Sequence, residues 1–144
     1  MKTSATVLLS LLLWAAAFAH AQGIEWETLN DEVMSLYRQG QYDRAVVVAK
    51  KALAVAEEAV GPDHPSVAAS LNNLAVLYDA QGQYAQAELL HTRALAIGEQ
   101  ALGQDHPSVA MSLENMAALY RQTGKDKAAE TLEKRTQAIR ASVR

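Results

Sequence analysis

Three histidines lie beyond the first twenty residues, and two of them share a setting: Asp63-His64-Pro65-Ser66 and Asp105-His106-Pro107-Ser108. An imidazole beside a carboxylate is a pairing used to ligate a divalent metal or to move a proton. A metal site, however, needs three or four ligands converging on one point, and two copies of one motif in a repeating chain are displaced along it. His64 and His106 are therefore expected to serve structure, and no metal ligand set is assigned. His91 has no acid or nucleophile to pair with and is expected to be a packed, partly exposed ring with no site role. Cysteine is absent, which removes thiol nucleophiles and Cys-based zinc sites. No glycine-rich phosphate loop, nucleophile elbow or HExxH helix occurs. No catalytic residue and no cofactor is expected, and the chain reads as a non-enzyme.

The elements that carry these residues are set by duplication. Gly61 to Val67 reads GPDHPSV and Gly103 to Val109 reads GQDHPSV, an interval of 42 residues. The same interval relates Gly40, Gln41 and Tyr42 to Gly82, Gln83 and Tyr84, and carries Gly82 to Gly124. A fixed period of this size indicates stacked supersecondary units, each burying its apolar face on its neighbour. In the middle unit Val67, Leu71, Leu74, Ala75 and Tyr78 fall on one helical face, repeated by Val109, Leu113, Met116, Ala117 and Tyr120. Leu29, Val33 and Leu36 give a rougher version in the first unit. A glycine follows each stripe, where a positive φ turns the chain, and a second helix begins. In the middle unit that helix runs from about Tyr84 to Leu102, with Ala87, Leu90, Ala94 and Ile97 on its apolar face and Gly103 after its end. The Asp-His-Pro-Ser linker offers a proline for the first helical position and polar groups for a cap. Abundant alanine, with one Phe and three Pro, fits close-packed helices.

The first 21 residues follow other rules. Lys2 is followed by the uncharged run Ala5 to Phe18 and by Ala19-His20-Ala21, the layout of a secretory leader cut after Ala21. The alternative is an uncleaved anchor, but the run is about 14 residues against the ~20 that cross a bilayer. The expected organisation is a signal peptide over 1–21 and a repeat domain over 22–144, with units at about 26–60, 66–102 and 108–141. The expected location is periplasmic or secreted, without stable membrane insertion once the leader is removed. The chain carries 13 basic and 16 acidic residues, net −3. Loss of Lys2 makes the remainder −4, which gives no electrostatic reason to bind nucleic acid.

Leu74, Ala75, Tyr78, Gly82, Tyr84, Ala87 and Ala94 resemble the tetratricopeptide repeat (TPR) consensus. The interval, the LNNLAVLY run from Leu71 to Tyr78 and the HP-containing linker resemble the longer repeat of kinesin light chains and their bacterial relatives, over roughly Trp26 to Ile139. The resemblance implies an all-α, right-handed superhelical stack of antiparallel helix pairs in which small residues at Ala45, Ala87 and Ala129 allow close approach. The outer units depart from it. Glu32 replaces an apolar residue, Leu36 holds the Tyr place with Tyr37 after it, and Asp126, Thr136 and Gln137 replace Tyr84, Ala94 and Leu95 of the middle unit. The third pair reads as a polar cap, with Arg135, Arg140 and Arg144 suiting the negative end of a helix dipole.

First helices are expected to line a concave wall that holds a peptide segment of another protein. Candidate contacts on the face away from the apolar stripe are Asn30, Asp31, Met34, Tyr37 and Arg38 in the first unit and Asn72, Asn73, Val76, Asp79 and Ala80 in the second. The third unit offers Glu114, Asn115, Ala118, Arg121 and Gln122. The resemblance implies that Asn73 and Asn115 hydrogen-bond the backbone of a bound peptide, since an amide both donates and accepts. The competing reading of these positions is an ordinary solvated helix face. The competing function is end-to-end self-association through the exposed ends of the stack, with no peptide ligand.

Overall fold

The computed structural model describes the backbone of residues 3–143 and the side chains from residue 15 to 143. Lys2, Arg144 and the side chains of the apolar run as far as residue 14 lie outside the described residues. Six helices follow one another: α1 (Thr3–Arg38), α2 (Tyr42–Val60), α3 (Pro65–Ala80), α4 (Tyr84–Leu102), α5 (Pro107–Gln122) and α6 (Asp126–Ser142). No strand occurs among the described residues. The helices pair as α1 with α2, α3 with α4 and α5 with α6, and the pairs stack through α2 on α3 and α4 on α5.

The repeated loops repeat their geometry. Within each pair the turn glycine has positive φ (Gly40 70°, Gly82 74°, Gly124 74°), a conformation that L side chains rarely adopt. In each turn the residue after the glycine donates back five positions, as in Gln83 N to Tyr78 O at 2.8 Å, closing the free carbonyls of the first helix. Between pairs the linker histidine is the N-cap. His64 Nδ1 accepts from Ser66 N, and His106 Nδ1 accepts from Ser108 N, each at 3.1 Å, with proline at the first helical position. An unprotonated Nδ1 takes the place of the Ser or Asp oxygen that usually caps a helix. The Asp-His-Pro-Ser motif is thus a helix start.

The apolar stripes form the core. Val67, Leu71, Leu74 and Ala75 are buried, as are Val109, Leu113, Met116 and Ala117, and Leu29, Val33 and Leu36 in the first unit. A second stripe, absent from the sequence reading, faces the preceding unit. Leu77 packs with Val33, Leu36, Ala45, Val46 and Ala49, and Leu119 packs with Ala75 and Ala87. The equivalent residue in the first unit is Ser35, which is exposed. Ala45, Ala87 and Ala129 have no exposed surface, as close helix contact demands. Ala87 sits among Ala75, Leu119, Tyr78 and Leu90, so Ala87→Leu is expected to overpack this junction and cost about 1–3 kcal/mol. Thermal unfolding followed by circular dichroism checks it, and an unchanged melting temperature would argue against the packing described.

α1 is continuous from Thr3, 20 residues before Gly23, the position that corresponds to Pro65 and Pro107 at the starts of α3 and α5. Arg140 falls in the last turn of α6, and it and Arg135 also engage carboxylates. Arg135 reaches Glu99 at 2.6 Å and Arg140 reaches Glu114 at 2.7 Å, so both lie back over the body of the stack. The Arg135–Glu99 pair repeats Arg93–Glu57 one unit earlier, at 2.7 Å. These pairs are solvent-exposed and contribute little individually to stability.

Candidate functional site: the wall of first helices

The backbones of α1 and α3, and of α3 and α5, approach one another, whereas the second helices α2, α4 and α6 stay farther apart and are bridged by side chains. The stack is therefore tighter along its first helices, which places them on its inner side. Between α1 and α3 this wall opens into a cleft of about 170 Å3, lined by Val33, Met34, Tyr37, Asn73, Val76 and Leu77. Val33 and Leu77 are buried and form its floor, while Met34 is 48% and Tyr37 36% exposed at its rim. Exposed large apolar side chains beside a concavity are surface that a partner can cover.

The structure divides the candidate residues into two groups. Asp31, Met34, Arg38 and Gln122 are exposed, and Asn73, Val76 and Asn115 are half-buried. Met34, Asn73 and Val76 come together at the cleft. Asn72 does not belong to the open wall. It is 6% exposed, donates from Nδ2 to Ser112 Oγ of the next unit at 2.8 Å, and its Oδ1 lies 2.9 Å from His91 Nδ1. The equivalent positions Asn30 and Glu114 also point along the stack. Asn30 Oδ1 accepts from Asn73 Nδ2 at 2.9 Å, and Glu114 pairs with Arg140. Arg121 is engaged by Glu133 at 2.8 Å and Asp126 at 3.3 Å, which raises its pKa further above the usual guanidinium range. Asp79 is half-buried with an unpartnered Oδ1, and burial raises its carboxyl. These five residues are tied to the scaffold or turned partly into it because one helical step rotates a side chain by about 100°.

His91 is the largest departure from expectation. It is 1% exposed, a fully buried ring, and burial lowers its pKa to about 4. Because Asn72 Nδ2 is committed to Ser112, Asn72 Oδ1 faces the ring, so His91 Nδ1 carries the proton and donates. Ser112 Oγ donates onward to Ser108 O at 3.3 Å. A second link, Trp26 Nε1 to Ser70 Oγ at 2.7 Å, joins the first pair to the second in the same way. The recurrence of Ser70 and Ser112 at one interval was the available signal for these links. Among the described residues no three His, Asp or Glu side chains converge as a metal site would require.

Helix pairs of one design, stacked in register with their first helices inward, define a helical solenoid of the kind that presents a surface to other polypeptides. The chain belongs to the tetratricopeptide repeat family, whose model matches residues 27–100 and 90–142. Domains of this family generally bind other proteins. The chain is similar to a Podosopora anserina protein described as a kinesin light chain with nearly identical TPR-like repeats. The two are 28% identical over 82% of this chain and 56% of the other, with a TM-score of 0.74. It is also similar to BtubC (BKLC) from P. vanneervenii, at 27% identity over 89% of this chain and 53% of that one, with a TM-score of 0.75. The chain thus spans little more than half the length of either. The TPR domain of Arabidopsis FLU shares the fold, with a TM-score of 0.71 at 18% identity over 85% of this chain and 99% of that one. No curated protein matches the chain.

Proposed function

We propose that this protein is a non-catalytic adaptor of the cell envelope, which holds an extended segment of a partner polypeptide against the inner wall formed by α1, α3 and α5. The observation that carries the reading is the cleft between α1 and α3, where Met34 and Tyr37 remain exposed above a buried apolar floor. Asn115 supports it further. Its half-buried amide makes no side-chain hydrogen bond among the described residues, so both donor and acceptor are available to a guest backbone. Export rests on the leader pattern. Removal of residues 1–21 would trim α1 to begin at Gln22, one residue before the position at which α3 and α5 begin, leaving three first helices of matched length.

The test is site-specific photocrosslinking in cells. A photoreactive residue at Met34 or Asn115, on the inner wall, is expected to capture a discrete partner. The same residue at Leu89, which is exposed on α4, is expected to capture none. Mass spectrometry of the crosslinked product identifies the partner and reads the N-terminus of the captured chain, expected at Gln22. Equal capture from both faces would reject the inner wall as the binding surface, and a retained leader would reject the envelope assignment as drawn.

A further inference from the structure

We infer that the cleft between α1 and α3 selects partner segments in which one large apolar side chain is flanked by lysine or arginine. The inference rests on the peptide-holding reading above and specifies the chemistry of its guest.

Size sets the apolar part. A cavity of about 150 Å3 lined by aliphatic and aromatic groups holds a benzene ring, and this cleft encloses about 170 Å3. One leucine, methionine or phenylalanine side chain fits that space against Val33, Val76 and Leu77, with Met34 and Tyr37 closing over it. The next step along the wall does not offer the same seat. One interval on, Met34 becomes Val76, Tyr37 becomes the Asp79 carboxylate and Val76 becomes Ala118. The wall therefore supplies one apolar anchor point at its N-terminal side.

Charge sets the flanks. The described part of α1 and the whole of α3 form both walls of the cleft, and between them they carry Glu25, Glu27, Asp31, Glu32 and Asp79 against a single cation, Arg38. Glu25 is paired with Lys51 at 3.5 Å, while Glu27, Asp31 and Glu32 are exposed and make no ion pair among the described residues. Asp31 stands one turn from Met34 on the same helix, within a Debye length of anything seated in the cleft, and Glu27 stands one turn further, about 10 Å along the helix from Met34. Arg38 lies a turn to the other side, its Nε donating to Met34 O at 3.2 Å. Of the other described cations, Lys51, Arg93, Arg121, Lys125, Lys134, Arg135 and Arg140 each have a carboxylate partner. A guest with an acidic flank would meet unpaired carboxylates, and a basic flank would be attracted to them.

The test selects a random nonapeptide library, displayed on phage, against the full-length protein and measures the most enriched sequence as a fluorescent synthetic peptide. Enriched sequences are expected to carry Leu, Met or Phe beside Lys or Arg. Binding is expected to fall roughly tenfold or more in Met34→Glu, a rim position whose exposure lets the variant fold, and severalfold in Asp31→Lys or on raising the salt. Acidic or uncharged enriched sequences, or binding unchanged by Asp31→Lys, would overturn the inference while leaving the peptide-holding reading intact. Absence of any enriched sequence, or binding unchanged by Met34→Glu with an unaltered circular dichroism spectrum, would overturn both.

Discussion

Lowering the pH from 7 to 4 is expected to remove about 3 kcal/mol of folding stability through His91 alone. The ring is buried and neutral, its folded pKa is lowered to about 4 against 6.5 for the ordinary group, and each unit of difference is worth about 1.4 kcal/mol. A depressed folded value means that the unfolded chain takes up the proton first. Stability is therefore complete above pH 6.5 and is lost as the pH falls, about 2 kcal/mol by pH 5 and about 3 by pH 4. The carboxyls of Glu88, Glu130 and Glu133 are held below the usual value of 4.5 by Lys125, Lys134 and Arg121 respectively. Their contribution is also lost on acidification, but below 4.5, beneath most of the histidine window. His91→Leu preserves bulk and removes the titration while leaving Asn72 Oδ1 without its donor, at a cost of about 1–3 kcal/mol at pH 7. Urea unfolding of both proteins at pH 7 and pH 5 decides the matter. The original protein should lose about 2 kcal/mol more than the variant over this interval, and parallel losses would show that the buried ring is not the titrating group.

That network marks where sequence reasoning stopped. The boundaries of α4, the turn glycines and the apolar stripes were legible because each is a local property repeated at one interval. Duplication reinforces a weak periodicity until it is unmistakable. The contacts between units were not legible in the same way, since they depend on how far each pair rotates on the last. Asn72 and Asn73 are adjacent in sequence and equally polar, yet one faces the next unit and the other the inner wall. His91 was harder still: the equivalent residues are Ala49 and Glu133, so no recurrence announces what the ring does. The polarity of α6 was legible, but what its polar groups do, Arg140 on Glu114 and Arg121 on Glu133, depends on contacts between helices. The N-terminal segment divides in the same manner: the leader pattern expected of it is local, whereas its helical continuity with the first unit is a matter of the fold.

Leu77→Ala is expected to cost about 3–5 kcal/mol and to do so at one junction rather than throughout the molecule. The side chain is almost wholly buried, and it projects from the second unit into Val33, Leu36, Ala45, Val46 and Ala49 of the first. Truncation removes the transfer energy of the lost carbons and leaves a void that surrounding helices only partly close. In a stack whose units contact only their neighbours, stability is approximately a sum of unit and junction contributions, so a lost junction should loosen the end unit before the remainder. Leu77 also floors the cleft between α1 and α3, which makes the same junction the support of the proposed binding surface. Native-state hydrogen exchange provides the measurement. Amides of α2 and of α1 from Gly23 onward should exchange through an opening several kcal/mol cheaper than in the original protein, while those of α5 and α6 change less. The matching substitution Leu119→Ala should reverse the polarity, loosening α5 and α6 first, because that residue packs on Ala75 and Ala87 of the middle unit. Equal loss of protection across all six helices in both variants would mean that the three pairs unfold as one cooperative body, and that neither leucine acts as a local fastening between units.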